Sequence, residues 1–106
     1  MRYYVVDAFA SQLFKGNPAG VCILDEWLDA AVMQAIAAEN NLAETAFVVK
    51  RDGYYDLRWF TPEVEMDLCG HATLASAFVV ANFVDASAAR IDFHTRSGVL
   101  SVAKSG

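Results

Sequence analysis

Apolar and polar positions change period several times along the chain, and each change marks an element. Tyr3 to Phe9 is rich in β-branched and aromatic residues and Val21 to Leu24 resembles it, with Lys15-Gly16-Asn17-Pro18 between them as turn punctuation. This pattern predicts two strands around a tight loop. From Leu28 to Asn40 the period lengthens to that of an amphipathic helix, with Leu28, Val32, Met33, Ile36 and Ala37 on one face and Asp29 near the positive end of the dipole. Asn40-Asn41 ends it. Glu44 to Lys50 returns to strand composition, Arg51-Asp52-Gly53 is a hairpin turn, and Tyr54 to Thr61 alternates until Pro62 stops it.

Val64 to Leu68 alternates apolar and acidic residues, and Gly70-His71-Ala72-Thr73 then opens a second helix running to about Phe83. That helix has almost no polar face, so it requires enclosure on all sides, and Phe78 and Phe83 read as core together with Trp59 and Phe60. Arg90 to Thr95 and Val99 to Ala103 form a last hairpin across Arg96-Ser97-Gly98, with His94 facing solvent. The pattern as a whole predicts a single α+β domain over residues 1–106, a curved, mostly antiparallel sheet wrapped around a central apolar helix.

Composition narrows the function classes. The length of 106 residues suits one hydrophobic core, and the 56% apolar content leaves surface available for a partner. A net charge of −5 offers no basic stripe, which argues against nucleic acid and anionic membranes as partners. Leu74 to Val84, the longest apolar stretch, is interrupted and too short to span a bilayer. The first residues lack the pattern of a secretion signal, so a cytoplasmic location is expected. Cys22 and Cys69 form no CxxC and have no histidine spacing suited to zinc; reduced thiols and no metal are expected.

Four places could carry chemistry. Glu44 begins an apolar strand, where burial suits a carboxyl to general acid–base work, although a solvated strand-end or helix-capping acid is the plainer account of this residue alone. Gly70-His71 at a helix start supplies backbone amides for a carboxylate or phosphate, whereas a histidine satisfied by backbone groups explains the motif equally. Cys69, just before that helix, would have its thiolate favoured by the dipole, or would be a small buried hydrophobe. Asn17 in its turn could hydrogen-bond a substrate, or serve the turn alone.

Five blocks, in this order, resemble the phenazine-biosynthesis PhzF-like family: Val6 to Phe9, Phe14 to Cys22, Asn41 to Phe47, Leu57 to Pro62, and Leu68 to Ala75. The resemblance spans essentially the whole chain but only the N-terminal half of that family, whose members carry two similar domains of the diaminopimelate-epimerase-like fold. It implies a cofactor-independent isomerase or epimerase that moves a proton on a small carboxylate substrate, as in isomerisation of a dihydroxylated anthranilate. Glu44 matches the family's acid/base glutamate. Gly70 and His71 match positions lining the substrate pocket, Asn17 lies in a shared motif, and Cys69 stands where related epimerases place one of two cysteines. With one thiol placed, glutamate-based isomerisation is preferred. The isolated half is expected to be inactive unless a second copy forms a homodimer and stands in for the other domain. The alternatives are a catalytically inactive fragment, which the abrupt Lys104-Ser105-Gly106 end favours, and a module that binds a small carboxylate or a protein.

Overall fold

A computed structural model describes residues 1–6 and 18–103. The strands are β1 (Arg2–Val6), β2 (Ala19–Leu24), β3 (Glu44–Lys50), β4 (Tyr55–Phe60), β5 (Glu65–Met66), β6 (Arg90–Thr95) and β7 (Gly98–Ala103). The helices are α1 (Ala30–Asn40) and α2 (Gly70–Val79), and α2 runs on into a π-helical segment, Val80–Val84. The strands form one mixed sheet in the order β1-β2-β3-β4-β6-β7, with β5 also on β4. Four of its six pairings are antiparallel; β2–β3 and β4–β6 are parallel. Each parallel pair is joined through a helix, as a parallel connection requires.

The two helices occupy opposite faces of the sheet, and period-two alternation sorts the strand residues between them. Val21, Ile23, Ala46, Val48, Leu57, Trp59 and Phe93 share a buried cluster with α2 residues Ala72, Ala75 and Val79. Cys22, Leu24, Phe47, Val49 and Phe60 pack instead with Met33 and Ala37 of α1. Small residues dominate the buried side of α2, which lets its backbone lie close to the strands. Helix α1 stops as expected: Asn41 takes the left-handed conformation (φ 52°) and its N–H bonds to the Ala37 carbonyl. The β3–β4 turn places Gly53 at φ +87°, where a side chain would be strained.

Several expectations are corrected. Phe78 and Phe83 are not core; they are 39% and 53% exposed. The outer side of α2, with Leu74 and Phe78, borders an open apolar cleft of about 320 Å³, closed on the far side by Ile91 and Val102. Phe83 is instead covered in part by Tyr4, whose ring stacks on it at 4.8 Å. Val32 also faces outward from α1, at 45% exposure. The alternating stretch from Val64 to Leu68 yields only the two-residue β5. This is because β5 and β6 share one edge of β4: β5 pairs with Trp59 and Phe60, and β6 with Tyr55 and Asp56. Trp59 and Phe60 are core as expected, and His94 lies at the surface, stacked on Tyr54 at 4.0 Å. The expected strand residues Asp7 to Phe9, and the turn Lys15 to Asn17, lie outside the described residues.

Candidate active site

Glu44 is the first residue of β3 and is partly buried. Alternation with buried Ala46 and Val48 points it to the α2 face of the sheet. The next residue, Thr45, faces the other way and is held by Asn40, whose amide donates to Thr45 Oγ1 at 3.3 Å. Thus the short loop between α1 and β3 fixes where the strand begins. In the sheet, Glu44 is the register partner of Ala19 on β2. Ala19 follows Asn17 by two positions in the chain; Asn17 itself lies outside the described residues.

Across from Glu44 stands the start of α2. Cys69 occupies the N-cap position in an extended conformation (φ −147°, ψ 105°), and Gly70 and His71 are the first two helical residues. The Cys69 carbonyl accepts both the Thr73 N–H at 3.1 Å and the Thr73 hydroxyl at 2.7 Å. These two bonds fix the cap's backbone, and the cap's side chain reaches the strand: the Cys69 thiol donates to Glu44 Oε1 at 3.2 Å. Four of the five residues singled out in the sequence therefore meet at one end of the sheet: Glu44, Cys69, Gly70 and His71. Gly70 is exposed and His71 and Cys69 are partly buried, so the site opens to its surroundings.

Cys69 differs from the expectation for a dipole-activated thiolate. Its thiol is pushed up to about 11, first by burial and then by the hydrogen bond to Glu44 and its charge; the Ala72 and His71 amides act in the opposite direction and do not win. At neutral pH it is a neutral donor. Cys22, fully buried against α1, is pushed up to about 12 by burial and takes no part. Both cysteines are free. Among the described residues no group of three or more His, Cys, Asp or Glu side chains converges in a way that could hold a metal ion. No helix among them is long and apolar enough to cross a membrane.

A charged network, not foreseen from the sequence, supports the approach to the site. Arg58 on β4 grips Glu65 on β5 with two bonds of 2.8 Å, a bidentate arrangement. Arg96, from the β6–β7 turn, reaches Glu65 at 3.2 Å and Asp67 at 3.5 Å, and the Ser97 hydroxyl donates to the Asp67 carbonyl at 2.6 Å. Three elements are thereby tied to the segment that leads through Leu68 into Cys69. The Arg58 hydrogen bonds hold the Glu65 carboxyl below its ordinary range, and Arg96 adds to this. Alternation of apolar and acidic residues in the sequence marked Glu65 and Asp67, but their cations lie on other elements and carry no local signal.

Chemically, this end of the molecule offers a carboxylate held by a neutral thiol, next to a helix start whose amides and dipole favour an anion. Val64 and Leu68 are exposed at 53% and 56% along the segment leading into it.

The profile for phenazine biosynthesis-like proteins (PhzC-PhzF) matches residues 6–106. An uncharacterized isomerase of Pseudomonas aeruginosa is 62% identical over 106 residues, covering all of this chain and 41% of that protein. A crystal structure of a phenazine biosynthesis protein of the PhzF family from Enterococcus faecalis superposes with a TM-score of 0.89 at 59% identity, over 97% of this chain and 40% of that one. A predicted epimerase of Pseudomonas aeruginosa superposes with a TM-score of 0.79 at 28% identity, over 99% of this chain and 39% of that one. The chain thus spans about two fifths of the length of these relatives. By the profile match and by the likeness of sequence and structure together, it belongs to the phenazine biosynthesis-like (PhzC-PhzF) family.

Proposed function

We propose that this chain is one wall of a cofactor-independent isomerase site that moves a proton on a small carboxylate substrate in the cytoplasm. The observation that carries the reading is the 3.2 Å contact that sets Glu44 beside the N-terminus of α2. Glu44 is the acid/base. The Gly70 and His71 end of the helix takes the substrate carboxylate, since the helix dipole stabilises an anion there. Asn17, in the segment leading to Ala19, is a further substrate contact.

Proton transfer requires a base within hydrogen-bond reach of one carbon, an acid near the acceptor atom, and a site dry enough to limit exchange with solvent. One wall does not provide the last two. The names of the relatives, an isomerase and an epimerase more than twice as long, support a site completed by further chain. In this reading the curved sheet wraps α2 in the complete protein, and the cleft at Leu74 and Phe78 is covered. For the 106-residue chain, a second copy supplies the opposite wall. The exposed Val64 and Leu68 beside the site favour such pairing. Without it, turnover is negligible and the chain behaves as an inactive fragment.

The reading is tested with wild type and Glu44→Gln incubated with a panel of small carboxylates in D2O, following deuterium incorporation by mass spectrometry and binding by NMR. The proposal expects Glu44→Gln to abolish incorporation and to spare binding. Binding by both forms with no incorporation by either, in a dimeric sample, would instead identify a carboxylate-binding module.

A further inference from the structure

Cys69 and Glu44 are 25 positions apart in sequence, yet each is fixed independently of the other before their side chains meet. Glu44 is held by strand pairing, through the register of β3 against Ala19 and the Asn40–Thr45 bond. Cys69 is held by the two Thr73 bonds to its carbonyl. The two backbones are anchored separately, and the 3.2 Å contact joins their side chains. A carboxylate on a long, flexible stem has little orientation of its own; a donor on one oxygen selects a rotamer and assigns the two oxygens different tasks.

We infer that Cys69 is a positioning residue for Glu44: its neutral thiol donates to Oε1 and leaves Oε2 as the oxygen that exchanges a proton with the substrate. This rests on the proposed acid/base role of Glu44. It assigns the cysteine neither nucleophilic nor thiolate-base chemistry, and no bond to sulfur forms in the reaction. The raised thiol titration agrees with it, since a donor to a carboxylate must keep its proton at neutral pH. The inference also gives a reason for a cysteine at a helix N-cap, where serine, threonine, aspartate or asparagine is preferred. The sulfur stays near the Ala72 and His71 amides while the thiol proton is directed to Glu44 on the neighbouring strand.

Two measurements on the 106-residue chain test the pairing without any substrate. Alkylation of Cys69 by iodoacetamide, read at the peptide level by mass spectrometry between pH 7 and 11, reports its thiolate fraction. Glu44→Gln removes the facing negative charge, so the profile should move to lower pH. A fall of half to one unit makes alkylation at pH 8 about three- to tenfold faster. Glu44→Asp, which withdraws the carboxylate by one methylene, should do the same if the glutamine variant folds poorly. An unchanged profile in both variants overturns the pairing. Three-bond couplings of the Glu44 side chain then report its rotamer: one dominant state in wild type and Cys69→Ser, averaging in Cys69→Ala. A single rotamer retained in Cys69→Ala overturns the positioning role. In the deuterium assay, Cys69→Ser should keep most of the incorporation and Cys69→Ala should lose it, with carboxylate binding unchanged in both. Full incorporation by Cys69→Ala together with none by Glu44→Gln refutes this inference alone. Incorporation by Glu44→Gln refutes the proposed function itself.

Discussion

Glu65 is where the sheet's electrostatics most directly support the site, and replacing it with glutamine is a near-isosteric way to remove the charge. The carboxylate receives two 2.8 Å bonds from Arg58 and a 3.2 Å contact from Arg96. Charged hydrogen bonds contribute roughly 1.5–3 kcal/mol, whereas exposed ion pairs contribute about 0–1. The Glu65 side chain is 15% exposed and that of Arg58 28%, which places this pair between the two regimes, while Arg96 at 55% adds little. Glutamine can still accept one bond from Arg58. The expected loss is therefore about 1–2 kcal/mol at pH 7, or a melting temperature lower by roughly 5–15 °C for a domain of this size.

The pH dependence follows from the lowered Glu65 titration. A carboxyl depressed in the folded state contributes stability that is fully present above its unfolded value, near 4.5, and is lost as the pH falls through the folded value. The difference between wild type and Glu65→Gln should thus be largest at pH 6–7 and shrink on acidification below about pH 4. Urea unfolding followed by circular dichroism at pH 7, 5 and 3 measures it. Equal stability at pH 7 refutes the reasoning. So does a difference that persists unchanged to pH 3, because its cause would then be packing and not charge.

Other substitutions separate core from surface. Phe47 is fully buried and meets Phe60 edge-on at 5.4 Å, so Phe47→Ala should cost about 3–5 kcal/mol in denaturant unfolding. Val32→Ala, on the helix face that the sequence pattern marks as buried, should change stability by less than about 0.5 kcal/mol. Gly98 has φ +101° with open space where a Cβ would stand, so Gly98→Ala should cost about 1–2 kcal/mol from backbone strain alone, read by the same unfolding experiment.

What was legible in the sequence was whatever local chemistry decides. Strand alternation, the Asn41 helix stop and the glycine at the β3–β4 turn are properties of adjacent residues, and the elements β3 and β6 match their expected bounds. The α2 helix start at Gly70 was likewise visible from its motif. What lay beyond it depended on tertiary partners. Phe78 reads the same whether it faces a packed core or an open cleft, and only the position of β6 and β7 decides between them. The splitting of one β4 edge between β5 and β6 leaves no mark in either segment. At the site, the resemblance picked out Glu44 and Cys69 separately. Their contact, and the burial that chiefly raises the thiol's titration, arise only when β3 and α2 are brought together. A helix N-terminus alone suggested an activated thiolate; burial and a facing carboxylate outweigh the dipole.

The composite site is tested most directly by measuring mass and chemistry in one sample. Light scattering coupled to size-exclusion chromatography, across a concentration series, gives the fraction of dimer, and deuterium incorporation into a small carboxylate gives turnover in the same solutions. The account predicts incorporation that rises with the dimer fraction and disappears in Glu44→Gln. Incorporation by a strictly monomeric chain, or a dimer that incorporates none of the panel, would contradict it.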